Sequence, residues 1–149
     1  MRFSNSILVH ATTTEVFEYL ARLENLPRWN YAIQEIRKIS PGPVGAGSEY
    51  RQFRTLPSPM EEKLELEVYE PGRRLVVSGG FGPLAGTSSY VLDPLGDDTR
   101  LTNEMELHAT GVLGPLAALA TWRIRGAVSR NLTVLKGLLE GTAHSEAPS

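Results

Sequence analysis

Two asparagines stand where apolar residues are expected. Asn103 shares its side of an alternating stretch with Leu101, Met105 and Leu107, and Asn131 falls within the apolar stripe of a helical one. An amide left without a partner on a dry face costs about 1–3 kcal/mol. Each therefore needs a hydrogen bond to backbone or trapped water, or a ligand to orient. Ligand sites are mostly apolar with a few placed polar groups. In that reading Asn103 and Asn131 border a cavity with Met105, Leu66, Tyr90 and Tyr50, and a ligand carbonyl or hydroxyl meets the amides. Glu62 has the parity of Leu64 and Leu66, so it either enters the cavity or reaches solvent at the start of its strand.

Other chemistries find less support. The histidines are His10, His108 and His144. If the first and last strands pair antiparallel, His10 and His108 lie near opposite ends, whereas zinc wants three or four convergent ligands. No metal and no cofactor is expected. The chain has no cysteine, which excludes disulfides and thiolate catalysis. No serine has the spacing of a nucleophile elbow, and the acidic residues 61, 65, 67, 104 and 106 take solvent-facing parity. Gly79, Gly80, Gly82 and Gly86 lack the Gly-Lys-Ser/Thr context of a phosphate loop. They loosen a connection between strands, supplying bends or a gate beside the cavity.

The elements that position these residues follow from periodicity. A chain of 149 residues, 41% hydrophobic and 21% charged, suits one compact domain. A net charge of -2 gives no reason to expect nucleic acid. Phe3 to Val9 alternates as a strand, and Thr12-x-x-Glu15 forms a capping box before a first short helix. A second short helix spans about Leu26 to Tyr31. Strands then run over Ser48–Thr55, Met60–Glu70, Arg74–Ser78, Ser88–Asp93 and Arg100–Thr110, with another starting near Ile33. In the Met60–Glu70 strand, Leu64, Leu66 and Val68 take one face, with Glu61, Lys63, Glu65, Glu67 and Tyr69 on the other. One long helix occupies about Leu116 to Glu140, stopped by Gly141, so residues 1–140 form the domain and 141–149 a flexible tail.

The most apolar segment, Gly111 to Trp122, holds 12 uncharged residues, short of the roughly 20 a membrane-spanning helix needs. With no export signal visible, a cytoplasmic location is expected. Leu113, Ala117 and Ala120 point toward the sheet as cavity wall. Leu119 and Trp122 point away, a pair to be covered by a homodimer partner or by the loop Leu56–Met60.

The order strand, two short helices, about six strands, long helix is α+β. The runs "ATTTEVFEYLARLENLPRWN", "VGAGSEY", "YEPGRRLV", "LDPLGDDTRLT" and "LTVLKGLLE" resemble, in order and spacing, the helix-grip domains of the START/Bet v 1 superfamily, in particular the polyketide cyclase/dehydrase-like branch. The resemblance implies a curled antiparallel sheet of about seven strands around the C-terminal helix. It also implies a cavity between them for a hydrophobic or aromatic small molecule. It transfers no catalytic motif, and fold alone does not fix function. Three readings stand: a small-molecule binder, a cyclase/dehydratase-type enzyme polarising carbonyls through Tyr and Asn, and an interaction module without ligand. A shifted pKa on a buried Glu62 or Tyr favours the enzyme, and a fully packed interior favours the module.

Overall fold

The alternating segments assemble into one antiparallel sheet, made of β1 (Arg2–Val9), β2 (Ile33–Lys38), β3 (Glu49–Arg54), β4 (Met60–Glu70), β5 (Arg74–Phe81), β6 (Leu84–Leu95) and β7 (Asp98–Ala109). The computed structural model describes residues 1–82, 84–109 and 116–146, with side chains for all of these except 109, 116–121 and 142–146. Seven strands lie in the order β1-β7-β6-β5-β4-β3-β2, curled but not closed. Two short helices follow β1: α1 (Thr13–Ala21) and, after a 3₁₀ turn at Leu23–Asn25, α2 (Leu26–Trp29). The long helix α3 (Leu116–Glu146) comes last.

Local chemistry sets these boundaries. The Thr12 hydroxyl accepts the Glu15 N–H at 3.2 Å and caps α1. Pro27 sits in the first turn of α2, where a missing N–H costs nothing. On the inner face of the sheet, Val9, Leu66, Leu75 and Leu101 are fully buried against Val16 of α1 and Leu135 of α3. Each buried aliphatic side chain contributes about 1.5–3 kcal/mol. Polar contacts fix where α3 docks. Lys136 Nζ donates to the Leu8 carbonyl at 2.6 Å, and the Glu140 carboxylate accepts the His10 N–H at 2.9 Å.

Three expectations need correction. The glycine run supplies the expected bends, but within strands rather than in a loose connection: Gly79, Gly80 and Gly86 lie inside β5 and β6, and Gly79 pairs with Gly86. A Cβ on Gly79 would sit inside the Lys63 carbonyl, and one on Gly86 inside the Glu106 carbonyl. Both positions have positive φ, at 147° and 156°, so glycine lets neighbouring strands close in where the sheet bends. Tyr69 does not share the face of Glu65 and Glu67. A bulge between Leu66 and Val68 shifts the register and turns Tyr69 inward, edge-on to Phe17 at 5.3 Å. Finally, α3 passes Gly141 and runs to Glu146; glycine lowers helix propensity without by itself ending a helix.

Candidate functional site

The inner face of the sheet does not pack fully against α3. Between them, with α1 and α2 closing one side, lies a cavity of about 160 Å³. Leu20, Leu23, Leu26 and Trp29 from the first helices supply an apolar wall, and Ile124, Ala127, Val128 and Leu132 from α3 supply another. Trp29 meets Tyr90 edge-on with ring centroids 6.3 Å apart, fixing both rings at the cavity. The mouth is shared with an outer groove through Tyr31, Ala32, Arg54, Phe81, Ile124 and Ala127.

Polar groups line this cavity from β7, β3, α3 and β6. On β7, Asn103 is 1% exposed; its Nδ2 donates to Ser88 Oγ at 2.9 Å and to the Ser89 carbonyl at 3.1 Å, while its Oδ1 has no partner. On β3, Gln52 is likewise 1% exposed; its Nε2 donates to Glu62 Oε1 at 2.9 Å, and its Oε1 has no partner. On α3, Asn131 is buried and lines the cavity. Burial pushes the Tyr90 phenol above its ordinary pKa, opposed by a hydrogen bond with Ser88. It stays protonated and able to donate at neutral pH.

The structure thus brings Asn103, Asn131, Tyr90 and Met105 to one cavity. Tyr50 and Leu66 lie elsewhere, fully buried in the core beside the cavity and absent from its lining. Tyr50 has no partner for its hydroxyl. Burial, then Glu24 and Tyr69, push its pKa up to about 12. Glu62 takes neither of its expected places. Its carboxylate is buried behind the lining, where it accepts from Gln52, from Arg54 Nε at 2.8 Å and from the Gly82 N–H at 2.7 Å. The Glu62–Arg54 pair is itself buried, with side chains 5% and 11% exposed. Glu62 therefore holds Gln52 and Arg54 in position at the cavity wall.

Gln52, Arg54, Ser88 and Trp29 are among the lining residues that the sequence reading did not place at the cavity. A signal existed for three of them. Gln52 and Arg54 follow Tyr50 at the inward period of β3, and Ser88 precedes Tyr90 at that of β6.

The patch is half visible. Trp122 is 79% exposed, and it lines the outer groove with Leu56 and Pro57, so that loop does not cover it. Leu113 lies outside the described residues, and the side chains of Ala117, Leu119 and Ala120 are likewise not described. His10 bonds Asp98 at 3.2 Å, and His108 lies on β7 opposite Ala85, near the other end of the sheet. Among the described residues no three His, Asp or Glu side chains converge as a metal site. No described helix is long and apolar enough to cross a membrane.

Comparison with known proteins agrees with this geometry. A family model described as "Polyketide cyclase / dehydrase and lipid transport" matches residues 1–140. No curated protein matches the chain. Among solved structures, TTHA0849 from Thermus thermophilus is similar at 16% identity and a TM-score of 0.76, over 95% of this chain and 99% of its own. Ara h 8.0201 is similar at 13% identity and a TM-score of 0.74, over 93% and 97%. The di-domain ARO/CYC protein StfQ of the steffimycin biosynthetic pathway is 14% identical with a TM-score of 0.78; the match covers 96% of this chain and 51% of that one. At these identities the likeness is one of fold.

Proposed function

This chain belongs to the polyketide cyclase/dehydrase and lipid transport family, and on that footing we propose that it binds a hydrophobic or aromatic small molecule between its sheet and α3. The observation carrying this reading is an apolar cavity whose lining includes buried polar side chains with atoms left unbonded. A core evolved only for stability fills such space, because voids and unpaired amides each cost of the order of a kcal/mol or more. The same cavity argues against an interaction module with a closed, fully packed interior.

Native mass spectrometry of the purified protein, with solvent extraction of what it carries, tests the proposal directly. A bound organic molecule is expected, and replacing Ala127, which lines the cavity, by Trp should abolish its retention while the circular dichroism spectrum is kept. Failure to retain or take up any apolar molecule refutes the reading.

A second reading, a cyclase/dehydratase-type enzyme, draws on one observation. The raised Tyr90 phenol and the Arg54 guanidinium lie at the same cavity, and both can donate to a ligand oxygen. Turnover of an aromatic polyketone that stops in Tyr90→Phe would favour it over binding alone.

A further inference from the structure

The cavity opens into a groove of different chemistry. The inner space, about 160 Å³, resembles the ~150 Å³ of an engineered cavity that takes up benzene, so it holds about one ring. A larger ligand extends outward past Ala127 and Arg54, which line both spaces. The groove beyond carries one sign of charge: its lining includes Arg54, Arg123, Arg125 and Arg130 and, among the described residues, no Asp or Glu. The bias is written in the sequence. From Leu116 to Leu139 the chain has four basic residues and no acidic one, although its 17 acidic residues outnumber the 15 basic.

Helical spacing sorts these arginines. Arg123, Ala127 and Arg130 stand at i, i+4 and i+7 on one side of α3, so two cations bracket a residue of the mouth. Arg125, two residues on from Arg123, takes the other flank. A Cβ on Gly126 would meet Arg130 Nη1 at 3.6 Å, so this guanidinium lies against the groove lining. Arg123 and Arg130 are exposed, and among the described residues no carboxylate pairs with either. Arg54 differs. Glu62 neutralises it, and with Nε given to Glu62 and Nη1 to the Leu56 carbonyl, its Nη2 donors remain for a ligand acceptor at the neck. Tyr31, Leu56 and Trp122, all exposed, add apolar surface to the same groove.

We propose that the ligand is an amphipathic anion, its apolar ring in the cavity and its carboxylate or similar acidic group in the groove beside Arg123 and Arg130. An apolar path edged by unpaired cations complements such a molecule along its whole length. A guanidinium also meets a carboxylate in a charge-assisted, forked pair that a neutral hydroxyl does not form.

The inference rests on the binding function proposed above, and the experiment separates the two. Phenylhexanoate, phenylhexanol and phenylhexylammonium share a ring at one end of the same chain and differ in charge at the other. Their binding to the full chain at pH 7 is measured by calorimetry. The carboxylate is expected to bind roughly five- to tenfold more tightly than the alcohol, with the ammonium weakest. The preference should shrink as ionic strength rises from about 0.05 M to about 0.5 M. It should vanish in Arg123→Gln/Arg130→Gln, with the alcohol's affinity kept. Val128→Trp, which fills the cavity from a position outside the groove lining, should abolish binding of the carboxylate. Equal affinities for carboxylate and alcohol in the unmodified protein would overturn the anion assignment and leave the cavity reading standing. Equal affinities together with arginine-dependent capture by phosphatidylglycerol vesicles would overturn it in favour of a membrane surface. A preference unchanged in the double variant would remove Arg123 and Arg130 from recognition and refute the inference. A carboxylate still bound after Val128→Trp would refute a ligand that reaches from cavity to groove. Saturable binding of none of the three compounds would overturn the binding function itself, and this inference with it. The comparison among compounds needs no variant to fold.

Discussion

Removing the Glu62 carboxylate should cost this protein more than any surface ion pair it contains. In Glu62→Ala three donors lose their acceptor together: Gln52 Nε2, Arg54 Nε and the Gly82 N–H. Breaking a buried pair by deleting one partner typically costs 3–5 kcal/mol, because the remaining charge stays desolvated. Arg54 also lines the outer groove, so its guanidinium can turn part-way to water, and the lower end of that range, about 3 kcal/mol, is expected. For a chain of this size 1 kcal/mol is worth roughly 2–4 °C in Tm, giving a drop of about 6–12 °C. Urea denaturation at pH 7, followed by circular dichroism, measures the loss as a fall in midpoint at unchanged m. The double variant Arg54→Leu/Glu62→Leu should lose less than the sum of its two single variants, by about 2 kcal/mol, since neither charge is left stranded. By contrast Glu61→Ala, which breaks the half-exposed pair with Arg51, should change stability by less than about 1 kcal/mol. A Glu62→Ala loss no larger than that of Glu61→Ala would refute the buried-clamp argument.

Tyr50→Phe removes a buried hydroxyl that bonds nothing; it should stabilise the protein by up to about 1 kcal/mol and leave ligand affinity unchanged, measured by melting and titration. Because the folded Tyr50 pKa is raised to about 12 from 10.0, the folded state holds its proton more tightly than the unfolded chain. Its contribution is complete below pH 10 and lost as pH climbs toward 12, so Tyr50→Phe should flatten the alkaline limb of the stability curve. For Glu140, burial alone would raise the pKa, but the Lys136 hydrogen bond, the His10 N–H and both positive charges hold it below its ordinary 4.5. Its contribution is present above the unfolded pKa and disappears as pH falls through the folded one, so Glu140→Gln should weaken the acid dependence of unfolding. Trp122→Asp tests self-association: if the 79% exposed indole is covered by a second copy, sedimentation shows a shift toward monomer, and an unchanged profile rejects the dimer.

The fold was legible because its signals are periodic. Met60–Glu70 alternates so cleanly that its bounds were read without error, and the capping box at Thr12 announced α1. The antiparallel pairing of β1 with β7 was foreseen, but local departures set by a neighbouring strand escaped. The bulge that turns Tyr69 inward arises from pairing with β5, and pairing leaves no mark in the sequence of β4 alone. The glycines at 79 and 86 read as bends, but that they face each other inside paired strands shows only once the opposing carbonyls are in place. At the site, Asn103 and Asn131 were visible because a polar residue interrupts an apolar face. Gln52 and Arg54 share the inward parity of Tyr50, but β3 carries polar residues on both sides, so that parity does not single them out without the curl of the sheet. Tyr50 shows the limit of parity: the inward face includes core as well as cavity, and position along the strand decides between them.

The facing glycines of β5 and β6 also divide the labour of the sequence. Curvature at that point is held by main chain meeting main chain, so any side chain there is a change to the scaffold. The residues that size the cavity and guard its mouth, such as Leu26, Phe81, Ile124 and Ala127, take no part in that bend. Ligand preference can therefore drift by exchange of a few interior side chains while the architecture stays where it is. The solved structures that share this fold keep only 13–16% of their residues in common with this chain.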